Sequence, residues 1–308
     1  MLRASSWLLL ILAAPVLAAD PAPAATRPTW FEYDRSVPLE FQVEHVEERG
    51  DVTVKEVYFN GRTPKERVTA YLVEPEAPGP HPAVLYVHWL GDPRTTSKIQ
   101  FLKEAKGLAR YGVVSLLVDA MWSLPGWFIK QRYEDDYAAS VNQVVELRRA
   151  MDALLAVPGV DPKRLAFVGH DFGAMYGILM GTVDPRPKTY VLMAGTVTFH
   201  EWYLLRKEKP KDKAAYVKKM EPLDPARWIG RLPPASVLLQ FAEKDPYIER
   251  ARAQVLIDAA KAPKLARFYA TDHGMGTTDG VTERFLWLSR ELELPAKPVP
   301  SSPDAGAK

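Results

Sequence analysis

A tight turn with a carboxylate at its centre is the most informative feature of the sequence. Residues 169–173 read Gly-His-Asp-Phe-Gly and stand between an apolar run, residues 165–168, and a segment rich in small residues. Glycine two positions before and after Asp171 permits a sharp strand-to-helix turn, because a Cβ at either position would clash. Such a turn pushes its central side chain outward, over the free amides of the helix start. Asp171 is therefore a candidate catalytic carboxylate.

Two further residues follow in an order that suits catalysis, with a nucleophile first, then an acid, then a histidine. Asp245 follows the apolar run 237–241, and His273 follows the run 265–269. His273 is the one histidine of the six that stands in a loop after a strand with this spacing. The sequence therefore predicts a site in which Asp245 orients His273 and His273 acts on Asp171, its substrate or a water molecule.

The segments that must position these residues alternate between strand and helix patterns. Residues 41–46 and 52–59 alternate apolar and polar side chains, which is typical of antiparallel strands with one wet face. Later apolar runs are nearly continuous, as in a parallel sheet covered by helices on both faces; they are residues 83–87, 113–118, 165–168, 190–193 and 237–241. We predict an α/β fold with a mostly parallel central sheet flanked by helices, antiparallel N-terminal strands and a short lid-like insert.

The chain divides into one large domain with two polar ends. A short apolar run followed by Val16-Leu17-Ala18 predicts a cleaved signal peptide over residues 1–18, since the run is too short to span a bilayer. We expect a flexible leader over 19–35, an α/β domain over 36–294 with a lid-like insert at 196–232, and a disordered tail over 295–308. The expected location is periplasmic or secreted, with no stable membrane anchor after cleavage.

Composition excludes several classes of function. The 40 basic and 38 acidic side chains give a formal charge of +2, so there is no electrostatic footprint for nucleic acid. The absence of cysteine excludes disulfides, thiolate metal sites and a cysteine nucleophile. No spacing of histidines and carboxylates suits a metal, so we predict no metal and no cofactor. The expected partner is a small-molecule substrate, and the oligomeric state stays open.

The chain resembles the α/β-hydrolase superfamily, in particular its dienelactone hydrolase and prolyl-oligopeptidase-like esterase branch. The resemblance covers residues 41–292 and rests first on the turn at Asp171, which is a nucleophile elbow with Asp where Ser or Cys is usual. Residues 82–88 look like the strand that carries an oxyanion loop. Segments 160–165 and 230–234 look like that branch's leads into the elbow strand and the acid strand.

The resemblance implies an Asp171, Asp245 and His273 triad with an oxyanion hole. The backbone amide of Phe172 would be one donor and that of Trp89 the other, although relatives usually have glycine at the position of Trp89. The elbow is also similar to those of haloalkane dehalogenases and epoxide hydrolases, in which His-Asp precedes a bulky residue. Trp89 or Trp122 could replace the halide donor of the former. Two tyrosines of the insert, Tyr203 and Tyr216, are candidates for the acids of the latter.

Chemistry limits what Asp171 can do. A carboxylate that attacks an ester must leave a mixed anhydride, which is more reactive than the ester, so the adduct collapses backwards. A carboxylate does attack a saturated carbon that bears a halide or an epoxide oxygen, giving an alkyl-enzyme ester. Three hypotheses stay open: covalent attack by Asp171 on such a carbon, water attack on an ester or lactone assisted by Asp171 and His273, and a catalytically silent binding protein.

Aromatic residues near the predicted site are candidates for a substrate pocket. Trp122 and Trp127 lie in the loop after the run 113–118, at the edge of the sheet where ligands of α/β proteins bind. His88 follows the predicted oxyanion strand, and Tyr203 lies in the insert. Packing against the lid is an equally good explanation for the two tryptophans.

Overall fold

A nine-stranded sheet forms the centre of the molecule. The computed structural model describes residues 28–49, 52–261 and 263–299, so the predicted signal peptide at 1–18 lies outside the described residues. In chain order the strands are β1 (Gln42–Arg49), β2 (Val52–Asn60), β3 (Arg67–Pro75), β4 (His81–Val87), β5 (Val114–Val118), β6 (Val160–His170), β7 (Thr189–Met193), β8 (Ser236–Ala242) and β9 (Lys264–Tyr269).

The spatial order of the strands is β1-β2-β3-β5-β4-β6-β7-β8-β9. Strands β1, β2, β3 and β5 pair antiparallel in succession, whereas all pairs from β5 through β4 to β9 are parallel. All seven residues of β4 and of β8 are buried, while β2 alternates between buried and half-buried positions. The predicted mostly parallel sheet with antiparallel N-terminal strands is therefore confirmed.

Helices cover both faces of the parallel part of the sheet. They are α1 (Pro93–Thr96), α2 (Leu102–Ala109), α3 (Trp127–Lys130), α4 (Asp136–Ala156), α5 (Phe172–Val183), α6 (Phe199–Tyr203), α7 (Lys213–Met220), α8 (Pro225–Trp228), α9 (Arg250–Ala259) and α10 (Thr278–Glu291). Among the described residues, no helix is long and apolar enough to cross a bilayer.

The topology brings the ends of β4, β6, β8 and β9 to one edge of the sheet. The carboxyl ends of parallel strands lie at the same edge of a sheet. From β4 the chain continues to β5 on one side, and it then returns to β6 on the other side of β4, so the strand order reverses at β4. Crevices form at such reversals of strand order. The loops that carry Asp171, Asp245 and His273 all start at this edge.

Parts of the predicted flexible leader (19–35) and of the predicted disordered tail (295–308) are ordered where the structure describes them. Residues 28–35 of the predicted leader pack on the domain, because Phe31 is fully buried and its carbonyl accepts a hydrogen bond from Arg148. The hydroxyl of Tyr33 likewise donates to Asp152 at 2.7 Å. In the predicted tail, the amide of Val299 donates to the carbonyl of Arg110 at 2.8 Å. The ordered body is thus longer than residues 36–294.

Candidate active site

The turn between β6 and α5 holds Asp171 in a backbone conformation that few residues adopt. Its φ is 54° and its ψ is −116°, outside the regions that L-residues favour. A Cβ at Gly169 would lie 2.5 Å from the carbonyl of Gly173, and one at Gly173 would lie 2.2 Å from the carbonyl oxygen of Val87. The two glycines that indicated the turn are therefore required by close backbone contacts, as the sequence predicts.

The three predicted catalytic side chains meet at the edge of the sheet. Nδ1 of His273 lies 2.8 Å from Oδ2 of Asp245. The other oxygen of Asp245 accepts the amides of Tyr247 and Ile248 at 2.9 and 3.1 Å, which fixes the carboxylate. Nε2 of His273 faces Oδ2 of Asp171 at 3.9 Å, within ion-pair range but too long for a hydrogen bond. Asp245 thus orients the imidazole so that its other nitrogen faces Asp171.

Burial and charge decide where the proton of this group resides. Burial alone lowers the pKa of His273 and is the largest single influence, but the carboxylates of Asp171 and Asp245 together raise that pKa to about 9. Burial also raises the pKa of Asp171, although His273 opposes the shift. Because two carboxylate neighbours favour its charged form, His273 carries a proton at neutral pH, and its positive charge opposes the effect of burial on the pKa of Asp171.

The two carboxyl oxygens of Asp171 have different surroundings. Oδ2 accepts a hydrogen bond from the amide of Leu90 at 3.1 Å. Oδ1 is buried and has no hydrogen-bond partner, and Nε2 of His273 is likewise buried without one. Unpartnered buried polar atoms are costly, and a catalytic role is one of the reasons for which proteins retain them. The structure therefore leaves one acceptor of Asp171 and one nitrogen of His273 free for chemistry.

The structure places the amide of Trp89 differently from the sequence-based expectation. That amide donates to the side-chain oxygen of Gln100 at 2.9 Å, and it is the amide of the next residue, Leu90, that faces Asp171. The difference arises because Gln100 accepts the Trp89 amide, which leaves the next amide of the loop to point at Asp171. Phe172 is the first residue of α5, directly after Asp171.

A chain of hydrogen bonds links the loop after β4 to the loop of His273. Gln100 accepts from Trp89, and its amide nitrogen lies 2.7 Å from Nδ1 of His170. Nε2 of His170 lies 2.8 Å from the carbonyl of His273. Because the amide nitrogen of Gln100 can only donate, the proton of neutral His170 is on Nε2. Burial, followed by the nearby charge of His273, holds the pKa of His170 well below its usual range, so the ring stays neutral.

Aromatic rings surround His273. The rings of Trp89, Trp202 and Tyr247 lie 5.4, 5.4 and 5.2 Å from it, centre to centre. Trp202 lies on α6 in the lid-like insert, is 6% exposed and also contacts Phe172. Its indole nitrogen is buried without a hydrogen-bond partner. Sequence reasoning missed Trp202; the one signal for it was its place in the insert.

The predicted pocket residues lie in a packed wall behind the elbow. His88, Trp122, Trp127 and Tyr203 are all buried, and the last three contact the ring of Phe172. The hydroxyl of Tyr203 is bonded to those of Ser140 and Tyr176, and the indole nitrogen of Trp122 faces His88 and the carbonyl of Trp89. The sequence-based expectation that these side chains line a pocket differs from the structure, because they fill the space, and the polar atoms of His88, Trp122 and Tyr203 are already bonded.

The other tyrosine proposed from the sequence is also engaged. The hydroxyl of Tyr216 donates to the buried carboxylate of Asp136, which also pairs with Arg206. This tyrosine therefore supports the base of the insert. Among the described residues, no group of three or more histidine and acidic side chains is arranged to hold a metal ion.

Solved structures with this architecture are numerous. An acetyl xylan esterase from Paenibacillus sp. R4 matches 82% of this chain and 89% of its own with a TM-score of 0.68 and 17% identity. The chain has the α/β-hydrolase fold. A Klebsiella pneumoniae protein assigned as a dienelactone hydrolase matches 79% of this chain and 98% of its own, with a TM-score of 0.59 and 17% identity. The predicted fold is therefore confirmed, and the chain is similar to these esterase and hydrolase structures at identities that establish the fold alone.

A curated relative shares part of the sequence. The 2,6-dihydropseudooxynicotine hydrolase of Paenarthrobacter nicotinovorans is 28% identical over 162 residues, which are 51% of this chain and 40% of that protein. This chain therefore matches well under half the length of that relative. A solved 2,6-dihydroxy-pseudo-oxynicotine hydrolase matches 78% of this α/β-hydrolase-fold chain and 68% of its own, with a TM-score of 0.55 and 17% identity. No family model matches the sequence.

Proposed function

We propose that this protein is a hydrolase in which Asp171 attacks a saturated, electrophilic carbon of a small alkyl halide or epoxide. One observation carries the proposal: Oδ2 of Asp171 is held by the Leu90 amide, whereas Oδ1 is buried and unpartnered. A carboxylate with one oxygen anchored and the other free is prepared to attack along a fixed direction. Its raised pKa also makes Oδ1 a better nucleophile than an ordinary carboxylate.

The first step forms an alkyl-enzyme ester. Oδ1 of Asp171 forms a bond to the substrate carbon, and the carbon–halogen bond breaks with its electron pair on the leaving halide. With an epoxide the carbon–oxygen bond breaks, and the resulting alkoxide takes a proton from the imidazolium of His273. Trp202, whose indole N–H is unpartnered, supplies the donor for the leaving group.

Esterification then converts His273 into a base. The ester of Asp171 is neutral, so one of the two carboxylates that raise the pKa of His273 no longer acts. In the halide reaction His273 releases its proton to solvent, whereas in the epoxide reaction it has already given that proton to the alkoxide. The neutral ring then accepts a proton from a water molecule, while Asp245 holds the ring. The hydroxide attacks Cγ of Asp171, and negative charge develops on Oδ2, where the Leu90 amide already donates and the Phe172 amide starts α5. Collapse releases the alcohol and restores the carboxylate.

The surroundings favour small, uncharged substrates. The rings that lie against His273 are those of Trp89, His170, Trp202 and Tyr247, and Asp171 has no exposed surface. Because Asp171 is fully buried and Trp202 packs on His273, we expect a substrate to enter when the insert that carries Trp202 moves away from His273. Aromatic walls that exclude water also strengthen the electrostatic contacts of the reacting groups.

A second candidate is water attack on an ester or lactone, with Asp171 and His273 assisting the water. The similarity to acetyl xylan esterases and to a protein assigned as a dienelactone hydrolase favours it. In this reaction Asp171 stays a carboxylate throughout, which avoids the unstable mixed anhydride. The silent binding protein is the remaining alternative, and the hydrogen bond between Asp245 and His273 counts against it.

One experiment separates these functions. The variant His273→Gln is incubated with alkyl halides, epoxides, lactones and activated esters, and the intact protein is weighed; His200→Gln, in the insert, is the matched control. We expect an adduct on Asp171 in His273→Gln and none in the control. In ¹⁸O water, a single turnover of the wild-type enzyme would place the label in Asp171.

Other outcomes have equally definite meanings. Turnover that places ¹⁸O only in the product, with no adduct in His273→Gln, would establish direct water attack and overturn the covalent proposal. Ligand binding without turnover of any compound would establish the silent alternative. Export is a separate proposal from the apolar start of the chain, and the mass of the mature protein purified from periplasm would test it.

A further inference from the structure

We infer that His88 and Trp122 are positioning residues that aim the backbone amide of Leu90 at Asp171 by holding the carbonyl of the same peptide bond. The geometry stands by itself, whereas its consequence for catalysis rests on the proposed function. Neither side chain forms a hydrogen bond with Asp171; both act through the peptide between Trp89 and Leu90.

The planarity of that peptide connects the two sides. Its carbonyl oxygen, on Trp89, lies 2.8 Å from Nδ1 of His88 and 3.2 Å from the indole nitrogen of Trp122. Its N–H, on Leu90, donates to Oδ2 of Asp171 at 3.1 Å. In a trans peptide the C=O and N–H bonds point in opposite directions, and the peptide turns as one plane. Donors that fix the carbonyl therefore fix the direction of the amide.

The proton of His88 is placed to support this. The amide of Ala120 donates to Nε2 of His88 at 3.2 Å, and the hydroxyl of Ser123 lies 2.8 Å from the same nitrogen. A backbone amide can only donate, so Nε2 is the acceptor, and the carbonyl of Trp89 can only accept, so Nδ1 carries the proton. The indole N–H of Trp122 lies 3.1 Å from Nδ1 and 3.2 Å from that carbonyl, and with Nδ1 protonated it donates to the carbonyl. Burial lowers the pKa of His88 to about 4, so the ring is neutral and Nδ1–H donates to the carbonyl of Trp89.

Repulsion from Asp171 disfavours a flipped peptide between Trp89 and Leu90. Repulsion alone does not hold the Leu90 amide in one direction, so donors to the carbonyl are needed as well. A reversed peptide would present a carbonyl oxygen to the ionised Asp171, and the amide of Trp89 could not replace the lost donor because Gln100 already accepts from it. During the proposed hydrolysis of the ester, Oδ2 carries charge only briefly. A donor that is already aimed needs no reorganisation at that moment.

The inference predicts which step slows when the carbonyl is released. Loss of a donor lets the Leu90 amide turn away, which weakens the stabilisation of the oxyanion more than it weakens the first attack by Oδ1. Removal of one hydrogen-bond donor that contacts the oxyanion lowers kcat roughly a hundredfold. For a donor that acts through a peptide we expect a smaller loss, about tenfold.

The test compares two buried tryptophans whose indole N–H donates a hydrogen bond. Trp122→Phe keeps an aromatic ring and removes the N–H that faces Trp89. Trp287→Phe is the matched control, since its indole nitrogen donates to Thr189 at 2.8 Å. Thr189 is the first residue of β7 and lies at the opposite end of the parallel strands from the triad. In both variants the hydrogen exchange of the Leu90 amide is measured by NMR with ¹⁵N-leucine, and the fraction of alkyl-enzyme is measured by mass spectrometry during turnover of an alkyl halide.

We expect Trp122→Phe alone to speed exchange of the Leu90 amide about tenfold, to lower kcat with little change in KM, and to accumulate the alkyl-enzyme. An unchanged Leu90 amide in Trp122→Phe would overturn the inference, as would equal changes in both variants. If no variant, including His273→Gln, forms an adduct, the proposed function fails, while the Leu90 amide still decides whether His88 and Trp122 position the peptide.

Discussion

The imidazole of His170 donates through Nε2 to the backbone carbonyl of His273 at 2.8 Å. His170, directly before Asp171 in the chain, thus holds the loop that carries His273, the residue that faces Asp171. The ring of His170 also stacks on Trp89 at 5.1 Å with an interplanar angle of 1°. One buried, neutral side chain therefore ties together the elbow, the loop after β4 and the loop after β9.

This relationship predicts a coupled loss of stability and activity in His170→Phe. The phenyl ring can still stack on Trp89, but the carbonyl of His273 and the amide of Gln100 lose their partners in a buried place. Each unsatisfied group costs about 1–3 kcal/mol, so for the two groups we expect a decrease in the free energy of unfolding on the order of 2–6 kcal/mol, measured by urea denaturation. His45→Phe, on the exposed face of β1, is the control and should change it little.

Activity gives the second measurement for His170. If the ring positions the His273 loop, His170→Phe should lower kcat at a temperature where the variant is fully folded. Full kcat in a folded His170→Phe protein would show that the loop keeps its position without this hydrogen bond.

The raised pKa of His273 predicts how stability depends on pH. Its pKa is about 9 in the folded chain against 6.5 as a free side chain. A folded state that binds this proton more tightly gains stability below pH 6.5 and loses it as the pH rises to 9. The expected loss is on the order of 3 kcal/mol, measured by chemical denaturation between pH 6 and about 9.5.

His273→Gln is the matched variant for this measurement, because glutamine does not titrate. The decline between pH 6.5 and 9 should flatten in the variant. An equally steep decline in both proteins would assign it to other groups and would contradict the ion pair between His273 and its two carboxylates.

Much of the fold and of the triad could be predicted because the determining signals are local. Continuous apolar runs identify buried parallel strands, and Gly169 and Gly173 identify the elbow because each is required by a backbone contact. The order of strands places Asp245 and His273 at the same edge. These features depend on residue type and spacing, which the sequence records directly.

Other features depend on orientation, which the sequence does not record. The amide that faces Asp171 belongs to Leu90 instead of Trp89, because Gln100, eleven residues further on, accepts the Trp89 amide. Phe31 is buried through contacts with distant parts of the chain, so its Pro- and Ala-rich surroundings gave no signal of order. Trp202 reaches His273 through the folding of the whole insert.

The elbow predicts a sharp difference between two glycine substitutions. In Gly173→Ala the new Cβ would meet the carbonyl oxygens of Val87 and His88 at 2.2 and 2.9 Å, and backbone atoms cannot move aside cheaply. We expect a loss of more than about 4 kcal/mol or no soluble protein. Gly107→Ala in α2 meets nothing within 4 Å and should gain about 0.5–1 kcal/mol. Soluble yield and urea midpoints of the two variants test this, and near-wild-type stability of Gly173→Ala would contradict the elbow geometry.

The unpartnered indole nitrogen of Trp202 gives the last prediction. Trp202→Phe keeps a ring beside His273 and Phe172 but removes the N–H that we assign to the leaving group. A hydrogen bond to a charged group contributes about 1.5–3 kcal/mol, so the rate of alkylation by an alkyl halide should fall roughly tenfold to a hundredfold. The rate at which the alkyl-enzyme is hydrolysed should stay nearly constant, because the halide has left by then.

Trp127→Phe is the matched control, since its ring packs on Phe172 at 6.4 Å and belongs to the wall behind the elbow. Rapid-quench measurements resolve the alkylation and hydrolysis steps in both variants. An equal decrease of both steps in Trp202→Phe would indicate a general disturbance of the insert. A decrease that grows from iodide through bromide to chloride substrates would place the indole N–H on the halide, because the poorer leaving group depends most on its donor.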